Sequence, residues 1–123
     1  MPPARRLRYR DAKLTRGYRL PAKYVIHTVG PVWRDGASGE RELLASCYRR
    51  SLDIAQANAI ASLAFPAIST GVYGYPVEQA ARVAVTTVRA AVKEFDAIEE
   101  VIFCCFSAGD LRIYESLLAA NRP

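Results

Sequence analysis

Apolar and polar positions along the chain alternate between strand-like and helix-like stretches. Residues 24–29, Tyr-Val-Ile-His-Thr-Val, are β-branched and aromatic and read as a strand, closed by Gly30-Pro31. Residues 62–68 and 101–106 are short, nearly continuous apolar runs, the signature of strands covered on both faces. Residues 11–20 fit a short edge strand with Gly17 near its end, and Pro21 marks the boundary. Residues 34–39 read as a loop. From residue 40 to 58 the period changes to that of a helix. Leu44, Cys47, Tyr48, Ser51, Leu52 and Ala55 fall on one face, with Ser51 the polar exception. Residues 76–95 repeat the pattern: Val77, Ala81, Ala84, Val88, Val92 and Phe95 form one stripe. Glu78, Arg82, Thr86, Arg89 and Lys93 form the opposite one. Pro76 suits the first helical position, where an N–H is not needed. Asp110 can cap a last helix that carries Leu111, Tyr114, Leu117 and Leu118. Strands alternating with helices imply right-handed crossovers, a mainly parallel sheet and helices on both faces, an α/β fold.

Composition narrows the picture modestly. The 123 residues are 51% hydrophobic and 24% charged, enough for one globular domain with a modest core. No apolar run approaches the about 20 residues of a membrane span, and no signal-type apolar segment follows the basic start. The expectation is an intracellular, cytoplasmic protein with no membrane partner. Cys47, Cys104 and Cys105 lack C-x-x-C spacing, so no metal site is expected and buried thiols are. The net charge of +5 is uneven. Residues 1–23 hold eight Lys or Arg against one acid, and the rest holds nine against eleven. Residues 1–10 read as an irregular basic segment. Arg5, Arg6, Arg8 and Arg10 are either a solvated tail or a contact for RNA or another polyanion.

The candidate chemistry lies in Ile68-Ser69-Thr70-Gly71-Val72-Tyr73-Gly74-Tyr75-Pro76. An apolar strand here meets small, glycine-punctuated residues and then a helix. Gly71 and Gly74 permit backbone angles that turn successive N–H groups toward one ligand, and the helix N-terminus adds partial positive charge. A diphosphate suits such a loop; the plainer alternative is a tight turn. Ser69, Thr70, Gly71, Val72, Tyr73 and Gly74 are the expected ligand contacts. Tyr73, between glycines, is expected to be exposed.

Ligands on open α/β sheets bind beyond the carboxyl ends of the strands. The second such end is Phe106-Ser107-Ala108-Gly109. If its strand neighbours the first, the two loops share a crevice, with Phe106 stacking on a base and Ser107 offering a hydroxyl. On pattern alone Phe106 reads as ordinary core. His27, mid-strand, reads as a core residue rather than a general base. Ser69 and Thr70 lack a G-x-S-x-G elbow and read as phosphate donors, not nucleophiles.

Gly17-Tyr18-Arg19-Leu20-Pro21-Ala22, Val25-Ile26-His27-Thr28-Val29-Gly30-Pro31, Glu42-Leu43-Leu44 with Cys47-Tyr48, and residues 65–76 resemble the macrodomain family. The nearest branch is that of O-acetyl-ADP-ribose deacetylases and mono-ADP-ribosyl hydrolases. The resemblance covers residues 11–120. It implies a three-layer mixed sheet and ADP-ribose as ligand, with no cofactor. Residues 69–74 would form the second phosphate loop, Tyr73 would lie near the distal ribose and Phe106 beside the adenine. The family's N-terminal part, with its first phosphate loop and the residues implicated in hydrolysis, has no counterpart here. The resemblance therefore transfers no catalytic residue. It also implies that the family's first two strands are absent, one of them from the middle of the sheet. The halves would then close on each other, or be joined by a second copy or a completing fragment. The implied partners are ADP-ribose, its derivatives and ADP-ribosylated protein. The competing reading is a non-catalytic interaction protein with a vestigial pocket.

Overall fold

The computed structural model describes residues 12–19, 21–71 and 73–120. Its elements run β1 (Ala12–Arg16), β2 (Tyr24–Thr28), α1 (Glu40–Ala57), β3 (Ser62–Phe65), α2 (Val77–Val92), β4 (Glu100–Phe103) and α3 (Ala108–Ala120). The order is the expected one, and the α/β class stands. The residues 1–10 segment, with Arg5, Arg6, Arg8 and Arg10, lies outside the described residues. No helix among those described is long and apolar enough to cross a membrane.

The strands form two sheets rather than one. β1 pairs antiparallel with β2, Leu14 opposite Ile26. β3 pairs parallel with β4, Phe65 opposite Phe103. No ladder joins β2 to β3. The halves have not closed on each other. Both later strands are shorter than their apolar runs. The last β3–β4 hydrogen bond, Cys104 N–H to Phe65 C=O at 2.8 Å, comes just before Pro66. Beyond it the chain turns, with the Thr70 hydroxyl donating to Ala67 C=O at 3.2 Å.

All three helices contribute to one core. On α1 the six-residue stripe is buried as expected. Tyr48 tilts against Phe65, with ring centroids 5.0 Å apart, and Phe65 stacks on Phe103. Phe103 in turn meets Tyr114 of α3. The buried face of α2 is wider than its predicted stripe, adding Ala80, Val83, Val85 and Ala91, because both α1 and α3 pack against it. α3 is more exposed than expected: Tyr114 is buried, but Leu111 and Leu118 face solvent. Its cap is Ser107, whose Oγ accepts the Asp110 N–H at 3.1 Å, so Asp110 lies inside the first turn. Pro76 stands one place earlier than expected, as the residue before the first turn of α2.

Alternation along β3 and β4 puts Leu63, Phe65, Val101 and Phe103 toward this core. Ala64 and Ile102 point the other way and are exposed. The described residues thus cover one face of β3–β4, and the third layer is not built by them.

One charge organises the turn into α1. Glu40 is 2% exposed. Its Oε2 accepts N–H groups of Arg34, Asp35 and Gly36 at 3.1, 3.1 and 2.9 Å, and its Oε1 accepts that of Ser38 at 2.7 Å. Burial pushes its pKa up, but the backbone donors outweigh burial and hold it at about 2, against an ordinary 4.5. A depressed carboxylate stabilises the fold above its unfolded pKa and loses that contribution as pH falls through the folded one. Glu40→Gln should therefore lower Tm by several degrees at pH 7, and by progressively less between pH 4.5 and 2. Thermal melts of both proteins across that range check it; an undiminished gap at low pH would contradict it.

Candidate functional site

The residues singled out at the end of β3 form a braced loop. Ser69, not Gly71, takes the left-handed backbone conformation at its start, with φ of 67°. Gly74 takes it at the end, with φ of 74°, where a side chain would be strained. Tyr75 N–H donates to Ser69 C=O at 2.9 Å, and Gly74 N–H to Gly71 C=O at 3.0 Å. Trp33 clamps the loop from outside: its N–H donates to Tyr73 C=O at 2.8 Å, and its ring lies 4.7 Å from that of Tyr75. At the base of the loop, Tyr48 presents its hydroxyl to the backbone of Ile68 and to the Tyr114 hydroxyl. Burial keeps that phenol well above its ordinary pKa, so it stays neutral.

Two features of this loop suit an anion. The Ser69 Oγ is buried and has no hydrogen-bond partner among the described residues. The amides of Thr70 and Gly71 donate to no described residue. Buried polar atoms are ordinarily paired, so a bare hydroxyl in a strained loop marks a place where a ligand group can complete the set. Tyr73 is 40% exposed, as expected of it. Val72 lies outside the described residues.

Phe106 and Ser107 sit beyond the carboxyl end of β4. Because β3 and β4 are parallel neighbours, both loops emerge at one edge. Phe106 is 97% exposed, which removes its reading as core. A cleft of about 1240 Å³ opens between β2 and β3. It reaches Ser69 and Tyr73 but not Phe106 or Ser107, so the shared crevice joins the first loop alone to this cleft.

His27 is not a core residue. It is exposed on the cleft wall, with Nε2 2.8 Å from the Thr15 hydroxyl. The apolar run around it is unpaired along one edge, which leaves the strand open. The cysteines also differ from expectation. Cys47 is buried, with Sγ–H donating to Val29 C=O at 3.3 Å, whereas Cys104 is exposed and Cys105 half-buried.

The periodicity did not signal Gly30. A Cβ there would stand 2.6 Å from Ile68 Cγ2 and collide with Ser69 Oγ. Only a glycine lets the end of β2 press against the loop. Its signal was the Gly-Pro pair itself, which reads as a strand stop. Gly71 is the opposite case, with open space where a side chain would go. Gly30→Ala should destabilise the protein by about 1–3 kcal/mol, the usual range for overpacking. Gly71→Ala should change stability by less than about 1 kcal/mol. Urea unfolding of both variants checks the contrast.

Residues 3–84 match the Macro domain model. A macro domain-containing protein of Chlorobaculum tepidum is 62% identical over 111 residues, 90% of this chain and 64% of that protein. The ADP-ribose glycohydrolase MACROD2 of Xenopus laevis is 54% identical over 88% of this chain and 26% of its own. The O-acetyl-ADP-ribose deacetylase of Klebsiella pneumoniae is 54% identical over 82% and 58%. Among solved structures, the Oceanobacillus iheyensis macrodomain with ADP superposes with a TM-score of 0.87 at 39% identity, covering 93% of this chain and 60% of that one. The Trypanosoma brucei macrodomain with ADP-ribose gives 0.79 at 40% identity, covering 87% and 44%. The chain spans less than two thirds of the length of these relatives.

Proposed function

The chain belongs to the Macro domain family, and on that premise we propose that it binds ADP-ribose at the loop between β3 and α2. The observation that carries the proposal is the left-handed Ser69 with its buried, unpartnered Oγ, beside the undonated amides of Thr70 and Gly71. These groups and the N-terminus of α2 offer donors and partial positive charge to a diphosphate. Tyr73, half exposed at the cleft, lies beside the distal ribose. Phe106, exposed at the neighbouring strand end, stacks on the adenine, and Ser107 keeps its hydroxyl at the helix cap beside it. The ADP and ADP-ribose held by related macrodomains, and the ADP-ribose chemistry named for two relatives, support this choice of nucleotide. We propose ADP-ribosylated protein as the macromolecular form of this ligand.

Gly71 gives a clean test, because a side chain there meets nothing. Gly71→Glu puts a carboxylate at the phosphate seat while the fold is kept. Calorimetric titration of ADP-ribose into the 123-residue chain should show saturable binding near one site per chain. Gly71→Glu should abolish it at unchanged Tm. Phe106→Ala should weaken it about five- to 150-fold, the range for loss of one base–aromatic stack. A folded chain that takes up no ADP-ribose would refute the proposal.

A further inference from the structure

A line of contacts runs from the buried charge at the start of α1 to the loop between β3 and α2. Glu40 belongs neither to that loop nor to the lining of the cleft. Its carboxylate takes four N–H groups from residues 34–38, and one of them is that of Gly36 at 2.9 Å. Asp35 tightens the same turn, its Oδ1 accepting from the Ala37 N–H at 2.8 Å and the Ser38 hydroxyl at 3.0 Å. Gly36 takes a φ of 80°, and the edge of the Trp33 ring lies against its bare Cα. A Cβ there would stand 2.7 Å from Trp33 Cη2. Trp33 then reaches the loop twice: its N–H holds Tyr73 C=O, and its ring tilts against Tyr75. Tyr75 in turn gives its N–H to Ser69 C=O. Burial first, and the Glu40 charge second, push the Tyr75 phenol above its ordinary pKa, so the acid is felt at the end of the loop.

We propose that Glu40 is a positioning residue for nucleotide binding: through Gly36 and Trp33 it sets the backbone of Tyr73 and Tyr75, and with it the seat of the diphosphate. The inference rests on the binding reading above and adds to it a residue that itself touches no ligand. The direction of its hydrogen bonds favours this role over that of a helix anchor. Its donors are drawn from the turn beneath Trp33, where they fix the ring that clamps the loop. The sign of the charge separates positioning from plain electrostatics. An acid near a diphosphate repels it, so loss of the charge alone tightens binding. Loss of a positioning acid weakens binding instead. Glutamine keeps the length of the side chain but has one acceptor oxygen, and its NH2 then faces N–H groups that the carboxylate had satisfied. The turn loosens, Trp33 with it, and the order lost at Tyr73 and Tyr75 must be restored when the ligand binds.

The test uses the full 123-residue chain, whose single tryptophan is Trp33. Calorimetric titration with ADP-ribose compares it with Glu40→Gln, Gly36→Ala and Glu94→Gln. Glu40→Gln should weaken binding about two- to tenfold, the scale of one lost hydrogen bond. Gly36→Ala keeps the carboxylate but drives a methyl against Trp33, and should weaken binding to a similar degree. Glu94→Gln removes an exposed acid, paired with Arg49 beyond the far end of α2, and should leave affinity within about twofold. In the absence of ligand, acrylamide should quench Trp33 more readily in Glu40→Gln and Gly36→Ala than in the unchanged chain or Glu94→Gln. Circular dichroism shows which variants are folded at the assay temperature; should Glu40→Gln not fold, Gly36→Ala carries the test. Unchanged or tighter binding by either folded variant would overturn the inference. So would weaker binding with Trp33 quenched no faster, because the acid would then act by another route. No uptake of ADP-ribose by the unchanged chain would refute the binding reading itself, and this inference with it.

Discussion

The arrangement of this protein depends on α1, which holds two sheets that no ladder joins among the described residues. A strand pair ordinarily takes its position from the ladder beside it. Here β1–β2 and β3–β4 take theirs from the buried stripe of one helix. Cys47 reaches Val29 at the end of β2, and one residue on, Tyr48 packs against Phe65 at the end of β3. The two contacts fall on adjacent positions, so a rotation of α1 that relaxed one would break the other. Glu40 fixes the helix at its start by gathering the preceding loop around a buried carboxylate. An exposed acid at a helix N-terminus would add only a modest dipole interaction. A buried one whose lone pairs are filled by backbone N–H groups sets the loop's shape as well.

The same helix determines how well the loop between β3 and α2 is held. Ile68 opens that loop, and it is caught between the Tyr48 hydroxyl and the bare Cα of Gly30. From the far side Trp33 ties down Tyr73 and Tyr75. The strained angle at Ser69 persists because the residues on both sides of it are fixed. The donors that the proposed binding would use are thereby oriented in advance, which would lower the ordering cost of that binding.

What was legible in the sequence was what local periodicity encodes. The six-residue stripe of α1 is buried in full, because a helix face depends only on neighbours a few residues away. The loop from Ser69 to Gly74 was legible for a similar reason: glycines and a proline at fixed offsets leave few backbone routes. Exposure was legible at Tyr73 between its glycines, but not in the strands. His27, Cys104 and Phe106 sit in apolar runs that read as core, and the structure leaves all three open. An apolar run says that a strand is fit to be covered; whether it is covered depends on which strands and helices lie beside it. Ser69 was singled out for its hydroxyl, yet its left-handed backbone comes from the bracing around it. The role of Gly30 was hidden too, since close approach between residues 38 positions apart leaves no periodic trace.

Ser69 and Tyr73 belong both to the loop between β3 and α2 and to the cleft between β2 and β3, which Tyr24, Ile26 and Ala64 also line. The α1 core therefore shapes the cleft and the loop together. The buried Ser69 hydroxyl has no hydrogen-bond partner among the described residues, and it stands where the two meet.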